Sequence, residues 1–259
     1  MTHEYLSGAS APRILAHRGL TTAPGGDPSV FDNSALAFAA AHAAGAEYVE
    51  TDCRLTADGK VVLFHDETLE RLLDDPRPLR EVEAAELEER FAGRGGLLTL
   101  SDALESFPTL RFNVDVKERA AAEAAGIAVA PHAQRVLLTS FSDATRRAAV
   151  EAARRAGGVA PAASPGQRTI ALLRLSSLLR SKALARRILR EVDAIQVPER
   201  FGPIRVLTPA LLRLSHAAGV EVHVWTVNEP TRMAELIDGG VDGIVTDRVD
   251  LAITTLGRR

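Results

Sequence analysis

Ala218-Gly219-Val220-Glu221-Val222-His223-Val224, answered by Gly239-Gly240-Val241-Asp242-Gly243-Ile244-Val245, is the stretch that decides the fold. Each phrase is a helix tail ending in small residues and running straight into an apolar strand. Glycine just past a helix takes the left-handed conformation that caps it, so each phrase marks a helix-to-strand crossover. The same phrase stands at Ala44-Gly45 before Tyr48-Val49 and at Ala156-Gly157 before Val159-Ala160. Helix starts are legible as well. Asn33-Ser34, Ser142-Asp143, Thr208-Pro209 and Glu229-Pro230 supply caps or a proline at the first helical position.

Working outward, strands are expected at Arg13–Ala16, Glu47–Cys53, Arg111–Lys117, Arg135–Thr139, Val159–Ala163, Ala194–Val197, Val220–Thr226 and Gly243–Thr246. Eight strands alternating with helices is the pattern of an α/β protein closed as a (β/α)8 TIM barrel. The fifth is the least defined, being interrupted by Pro161, Pro165 and Gly166, and a long Arg-rich helix is expected after it over Leu173–Val192. Val61–Phe64 reads as a short extra strand after the Asp58-Gly59 turn. The stretch from Glu67 to Thr109 is too long for a simple crossover. It reads as an insertion with short helices at Glu81–Phe91 and Ser101–Ser106. No Pro-, Gly- or Ser-rich linker divides residues 1–259, which predicts a single domain.

The net charge of -3 argues against a protein built to bind nucleic acid, and the 46% apolar content is ample for a core. Cys53 is the only cysteine, so no disulfide forms within the chain. No secretory signal and no run of about 20 apolar residues is visible, so no integral membrane segment is expected and a cytoplasmic setting is.

Glu50 and Asp52 lie two apart and therefore share a side of their strand, near the C-terminal end where barrel enzymes keep their sites. Asn113, Asp115 and Lys117 repeat the device on the next strand. Hard oxygen donors of this kind select Mg²⁺ or Ca²⁺, although strand-end acids satisfied by lysine or arginine give the same pattern. His17 ends the first strand with Arg18 beside it, and His65-Asp66 follows the short strand. A histidine pair serves as base and acid near neutral pH, and arginine suits phosphate oxygens. These are the parts that hold a divalent metal and cleave a phosphate ester. His223 reads as a buried packing residue. The basic run Arg174, Arg180, Lys182, Arg186, Arg187 and Arg190 reads as a solvated helix face, with anionic lipid surfaces as the other reading.

His17-Arg18-Gly19, Glu50-Thr51-Asp52 and Asp58-Gly59-Lys60-Val61-Val62-Leu63-Phe64-His65-Asp66, in that order, resemble the glycerophosphodiester phosphodiesterase family. So do Asn113-Val114-Asp115-Val116-Lys117, Thr139-Ser140-Phe141-Ser142, Val224-Trp225-Thr226-Val227-Asn228 and Gly240–Asp247. The resemblance implies a (β/α)8 barrel that hydrolyses small-molecule glycerophosphodiesters to an alcohol and sn-glycerol 3-phosphate. It makes His17 and His65 the acid–base pair and Glu50, Asp52 and Asp115 ligands of a divalent cation, Mg²⁺ or Ca²⁺. Arg18 and Lys117 would contact phosphate, Asn33 would keep its place beside the substrate, and Trp225 would pack on the glycerol. Two rivals share the constellation, a phospholipase D-like hydrolase of lysolipids and a non-catalytic phosphate-binding barrel. The sequence departs from the family at Asp115, where Glu is usual, and at Phe31-Asp32-Asn33-Ser34, reached through a longer Gly- and Pro-rich loop over Thr22–Val30.

Overall fold

Eight parallel strands form the centre of the computed structural model, which describes residues 2–21 and 29–257. They are β1 Arg13–His17, β2 Tyr48–Leu55, β3 Arg111–Val116, β4 Val136–Thr139, β5 Ala162–Ala163, β6 Ala194–Val197, β7 Glu221–Val224 and β8 Gly243–Thr246. Hydrogen-bonded neighbours run β5-β4-β3-β2-β1-β8-β7-β6, so the first strand lies between the second and the last. The nearly closed ring is the (β/α)8 barrel expected. Its seam falls between β5 and β6. There the Asp193 amide donates to the Ala163 carbonyl at 2.9 Å, and the Asp193 carboxylate accepts from the Ala163 amide at 2.9 Å. A side chain thus supplies a rung that a two-residue strand is too short to make.

The helices between the strands are α1 Ala35–Ala43, α2 Leu100–Ser106, α3 Ala122–Val129, α4 Asp143–Gly157, α5 Gln167–Leu178, α6 Lys182–Ile188, α7 Pro209–Ala217, α8 Pro230–Asp238 and α9 Val249–Leu256. Ser34, Ser142 and Thr208 cap α1, α4 and α7 through their hydroxyls, as their positions predict. Alternation sorts the strand side chains. Val49, Cys53, Phe112, Val114 and Val116 pack outward against Phe38 and Ala41 of α1, Leu104 of α2 and Ala125 of α3. Their neighbours in sequence are left to line the barrel. The N-terminal segment covers the opposite end, where Tyr5 meets Tyr48 edge-on at 5.2 Å and Arg111 donates to the carbonyls of Glu4 and Gly8.

Four expectations need correction. The fifth strand is Ala162–Ala163 rather than Val159–Ala163, since Pro161 and Pro165 confine it. The seventh ends at Val224 rather than Thr226. The long helix expected over Leu173–Val192 is two helices, α5 and α6. Arg180 takes a left-handed φ of 50° between them, and the Ser181 hydroxyl caps the second by accepting from Leu184. Between β2 and β3, a small antiparallel pair, Thr68–Leu69 with Asp75–Pro78, precedes the helix Ala84–Phe91. The short extra strand expected over Val61–Phe64 is present as Val61–Leu63, and it runs antiparallel beside β2. Most of the Thr22–Val30 loop lies outside the described residues.

Candidate active site

Register brings the candidate residues into two rows across the C-terminal end of the barrel. His17, Glu50 and Asn113 are lateral neighbours on β1, β2 and β3, and Asp52, Asp115 and Thr139 form the next row on β2, β3 and β4. Glu50, Asp52, Asn113 and Asp115 are all buried. Carboxylates this close need cations, and the chain supplies two of them. Lys117 Nζ lies 2.7 Å from Asp52 Oδ1 and donates to Asp115 Oδ2 at 2.6 Å. Arg18 Nε lies 2.9 Å from Asp52 Oδ2.

The turn after β1 makes this arrangement possible. Arg18 and Gly19 both have positive φ, and a side chain at Gly19 would meet the Ala37 backbone at 2.7 Å, so α1 packs onto the turn only with glycine there. Asn33 holds the turn against β2. Its amide donates to the Arg18 carbonyl at 2.9 Å, and its Oδ1 accepts from the Thr51 hydroxyl at 2.7 Å. Its Nδ2 donates to Asp52 Oδ2 at 3.2 Å. Asn33 sits at φ 63°, a conformation asparagine tolerates better than most residues.

Each histidine is held by a carboxylate at Nδ1. His17 Nδ1 lies 2.6 Å from Asp247 Oδ1, and Asp247 in turn accepts from Asn228 Nδ2 at 2.7 Å. His65 Nδ1 lies 2.7 Å from Asp66 Oδ1. A carboxylate only accepts, so both imidazoles carry a proton on Nδ1 and keep Nε2 for exchange. His17 Nε2 is 3.9 Å from Glu50 Oε2. Arg71 then joins Asp66 to Asp32, and Asp32 accepts from Arg18 at 3.0 Å. Alternating charges therefore run unbroken from His65 through Asp66, Arg71, Asp32 and Arg18 to Asp52.

Electrostatics follow from this geometry. Burial works against the His17 imidazolium, but the hydrogen bond to Asp247 and the field of Glu50 outweigh it and raise its pKa. Burial, then repulsion from Asp52, pushes the Glu50 carboxyl up. Burial would raise Asp52 too, yet Lys117 and Arg18 hold it below the usual carboxylate range. For Asp115 burial wins over Lys117, and its carboxyl is raised.

Among the described residues, no group of three or more His, Cys, Asp or Glu side chains is gathered as a ready-made metal-ligand set. The oxygen inventory nevertheless fits a hard cation. Glu50 Oε2, Asp115 Oδ1 and Asn113 Oδ1 are buried without a hydrogen-bond partner, whereas both Asp52 oxygens are occupied by Lys117, Arg18 and Asn33. Buried acceptors left this way are rare, and a divalent ion is one partner that satisfies carboxylate and amide oxygens together.

Of the residues singled out from sequence, His17, Arg18, Asn33, Glu50, Asp52, Asp115 and Lys117 are joined by direct contacts. His65 comes from the loop after Val61–Leu63 and is close enough to influence Asp52 and Asp115 electrostatically. Trp225 stacks on Phe141 with ring centroids 6.3 Å apart, and Lys117 Nζ lies 5.6 Å from the Phe141 ring. The sequence reading gave no role to Asp247, Asn228, Phe141 or Arg71. For Asp247 a signal existed, because in a closed barrel the end of the eighth strand neighbours the end of the first. A cavity of about 280 Å³ opens beside His17, Arg18, Asp32 and Asp247, and Arg71, Leu72 and Arg94 from the segment between β2 and β3 line its other wall. His223 is buried in the barrel and hydrogen-bonds to Glu221 at 3.1 Å, away from this cluster.

Comparison with known proteins places the chain in a family. Residues 17–251 match the glycerophosphoryl diester phosphodiesterase family. The chain is 37% identical over 240 residues to a probable glycerophosphodiester phosphodiesterase 2 of Mycobacterium tuberculosis, covering 92% of this chain and 88% of that one. A crystal structure of a glycerophosphodiester phosphodiesterase from Thermotoga maritima superposes with a TM-score of 0.69 at 25% identity, over 93% of this chain and 97% of the other. An Oleispira antarctica phosphodiesterase, solved with the product sn-glycerol-3-phosphate, has the same fold at a TM-score of 0.69 and 19% identity, over 95% of this chain and 97% of that one.

Proposed function

This chain belongs to the glycerophosphoryl diester phosphodiesterase family, and we propose that it hydrolyses glycerophosphodiesters to an alcohol and sn-glycerol 3-phosphate by proton transfer between His17 and His65. The observation that carries the reading is the pair of imidazoles, each fixed at Nδ1 by a carboxylate and each within electrostatic reach of a buried acid cluster.

The chain's own residues account for most of the chemistry. Arg18 and Lys117 place fixed positive charge where the phosphoryl oxygens gain negative charge in the transition state. Asp247 and Asp66 hold each ring in one tautomer, and Asp247 also stabilises the imidazolium form of His17. One histidine then removes the proton of the nucleophile, water or the substrate's own neighbouring hydroxyl, through Nε2, and the other delivers a proton to the departing alkoxide; where the neighbouring hydroxyl attacks, water opens the resulting cyclic phosphate in a second step. Glu50 and Asp115 would hold a divalent cation, Mg²⁺ or Ca²⁺, with Asp52 as third ligand once Lys117 or Arg18 turns from it to the phosphate, and the ion when bound would add Lewis-acid polarisation of the phosphoryl oxygens. Trp225 and Phe141 give the glycerol carbons an apolar wall beside Lys117. Arg71, Leu72 and Arg94 line the outer wall of the cavity and make it largely polar, in keeping with a small charged diester.

The test is release of sn-glycerol 3-phosphate from glycerophosphocholine and glycerophosphoethanolamine. His17→Ala and His65→Ala should each lower kcat by about 10²–10⁴ while the melting transition stays in place. Near-normal turnover in either variant overturns the assignment.

A further inference from the structure

Helix α5 carries leucine on its outer face as well as on its inner one, where Leu173 is fully buried. Ser176 and Ser177 are buried, at 0% and 3% exposure, while Leu178 and Leu179 stand 69% and 66% exposed. The buried serines are satisfied locally, Ser176 donating to the Leu173 carbonyl at 2.7 Å and Ser177 to the Arg174 carbonyl at 2.6 Å. Leu172, Leu175 and Leu179, spaced three and four apart, form one outward stripe with Leu178 at its side. The neighbouring helix α4 shows the ordinary arrangement, with alanines 149, 152 and 153 inside and Arg147, Arg154 and Arg155 outside.

The patch continues beyond α5. Arg174 Nε donates to the Arg205 carbonyl at 3.3 Å, which seats α5 against the hairpin of Arg200–Phe201 and Ile204–Arg205. Phe201 and Ile204 face each other in register there, and both are exposed. The segment that carries the leucine stripe is charged with one sign. Between Ser164 and Arg190 lie Arg168, Arg174, Arg180, Lys182, Arg186, Arg187 and Arg190, with no carboxylate among them, in a chain whose net charge is -3. Among the described residues only Arg190 of these meets an acid, Glu191 at 3.0 Å. A second cavity, about 330 Å³, lies outside the barrel between α4 and α6, lined by Arg147, Arg187 and Arg190 together with Leu184, Ile188 and Glu191.

From these observations we propose that α5, α6 and the Phe201–Ile204 hairpin are a docking face for an anionic phospholipid bilayer. The leucines and Phe201 enter the interface, the arginines meet the phosphate layer, and the cavity at Arg187 and Arg190 receives a headgroup. Apolar side chains ringed by cations are what an interfacial helix presents, and each arginine near an anionic surface adds to the attraction. Bare electrostatic attraction would not need four exposed leucines. Contact through an apolar patch alone would leave the missing carboxylates unexplained. Among the described residues no helix is long and apolar enough to cross a membrane, so the contact is one of docking and not of spanning.

Sedimentation of the whole chain with vesicles tests this. Binding is expected to phosphatidylcholine mixed with phosphatidylglycerol and not to phosphatidylcholine alone. Leu178→Asp/Leu179→Asp should lower vesicle partition by at least about tenfold, since two buried leucines are lost from the interface. Arg187→Gln/Arg190→Gln should lower it by about tenfold through charge. Both variants should keep the melting temperature and the rate on dissolved glycerophosphocholine. Equal binding to both vesicle types, or to neither, overturns the proposal. So does a leucine variant that converts a dimer to a monomer on size exclusion without changing vesicle binding, because the patch would then serve self-association.

Discussion

Asp247 Oδ1 stands 2.6 Å from His17 Nδ1 although the two residues are 230 positions apart in the chain. Only closure of the ring makes them neighbours, by pairing β8 with β1. Asn228 completes the arrangement, accepting from the Asp247 amide at 2.9 Å and donating to its carboxylate. His17 is therefore oriented by the last turn of the barrel, not by its own strand.

Asp247→Asn tests that relationship. An amide can donate as well as accept, so it allows the proton of His17 to sit on the wrong ring nitrogen. A fall in kcat of about 10²–10⁴ with little change in KM is expected. Steady-state kinetics on glycerophosphocholine provide the check, and an unchanged kcat would remove Asp247 from the machinery.

Cation dependence rests on the unpartnered oxygens. Asp115→Asn keeps the shape of the site but removes a charge facing Lys117. Calorimetric titration should show binding of Mg²⁺ or Ca²⁺ weakened by about tenfold or more, and chelation should suppress turnover of the unaltered chain. Equal affinity in the two proteins would mean that the ion, if one binds, is held elsewhere.

Glycine 19 sets up a stability prediction. Its φ of 89° and the 2.7 Å approach to the Ala37 backbone leave no room for a methyl group. Gly19→Ala should cost about 3 kcal/mol or more, from backbone strain and a displaced α1 together. The urea midpoint would report it, and a loss below about 1 kcal/mol would mean the turn relaxes freely.

Acid sensitivity should come in part from the far end of the barrel. Burial would raise the Glu221 carboxyl, but hydrogen bonds from His223 and Arg13 pull it down from 4.5 to about 2. The unfolded chain therefore takes up this proton first as pH falls. The stabilisation is complete above about 4.5 and lost as pH drops towards about 2. For a partly exposed group it amounts to about 2 kcal/mol. Glu221→Gln should unfold more easily at neutral pH, and its deficit should shrink through that window. A deficit independent of pH would point to packing instead.

Much of this was legible in the sequence, for reasons that differ by element. Strand alternation alone put Glu50 with Asp52 and Asn113 with Asp115, and the register confirms that both pairs share the barrel interior. Asp66 beside His65 needed no topology at all. What escaped depended on closure or on single rungs. A two-residue β5 carries no periodicity, and its partner Asp193 binds through a side chain that no pattern distinguishes. The break between α5 and α6 hides in Leu179-Arg180-Ser181, where no glycine or proline announces the left-handed turn. The exposed leucine stripe of α5 was visible only as a basic run, because leucine at helical spacing looks the same whether it points in or out.

The clasp at Asp193 gives the cylinder a latch. Elsewhere the ring is a continuous ladder, and an open ladder has two raw edges that invite pairing with other chains. With one aspartate spanning the gap, both edges stay hidden, yet this is the place where the wall can part most cheaply. Breathing of the native state should therefore start at Ala163 and Asp193, remote from the His17 and Glu50 rows, so that the ring can flex without disturbing its reactive rim.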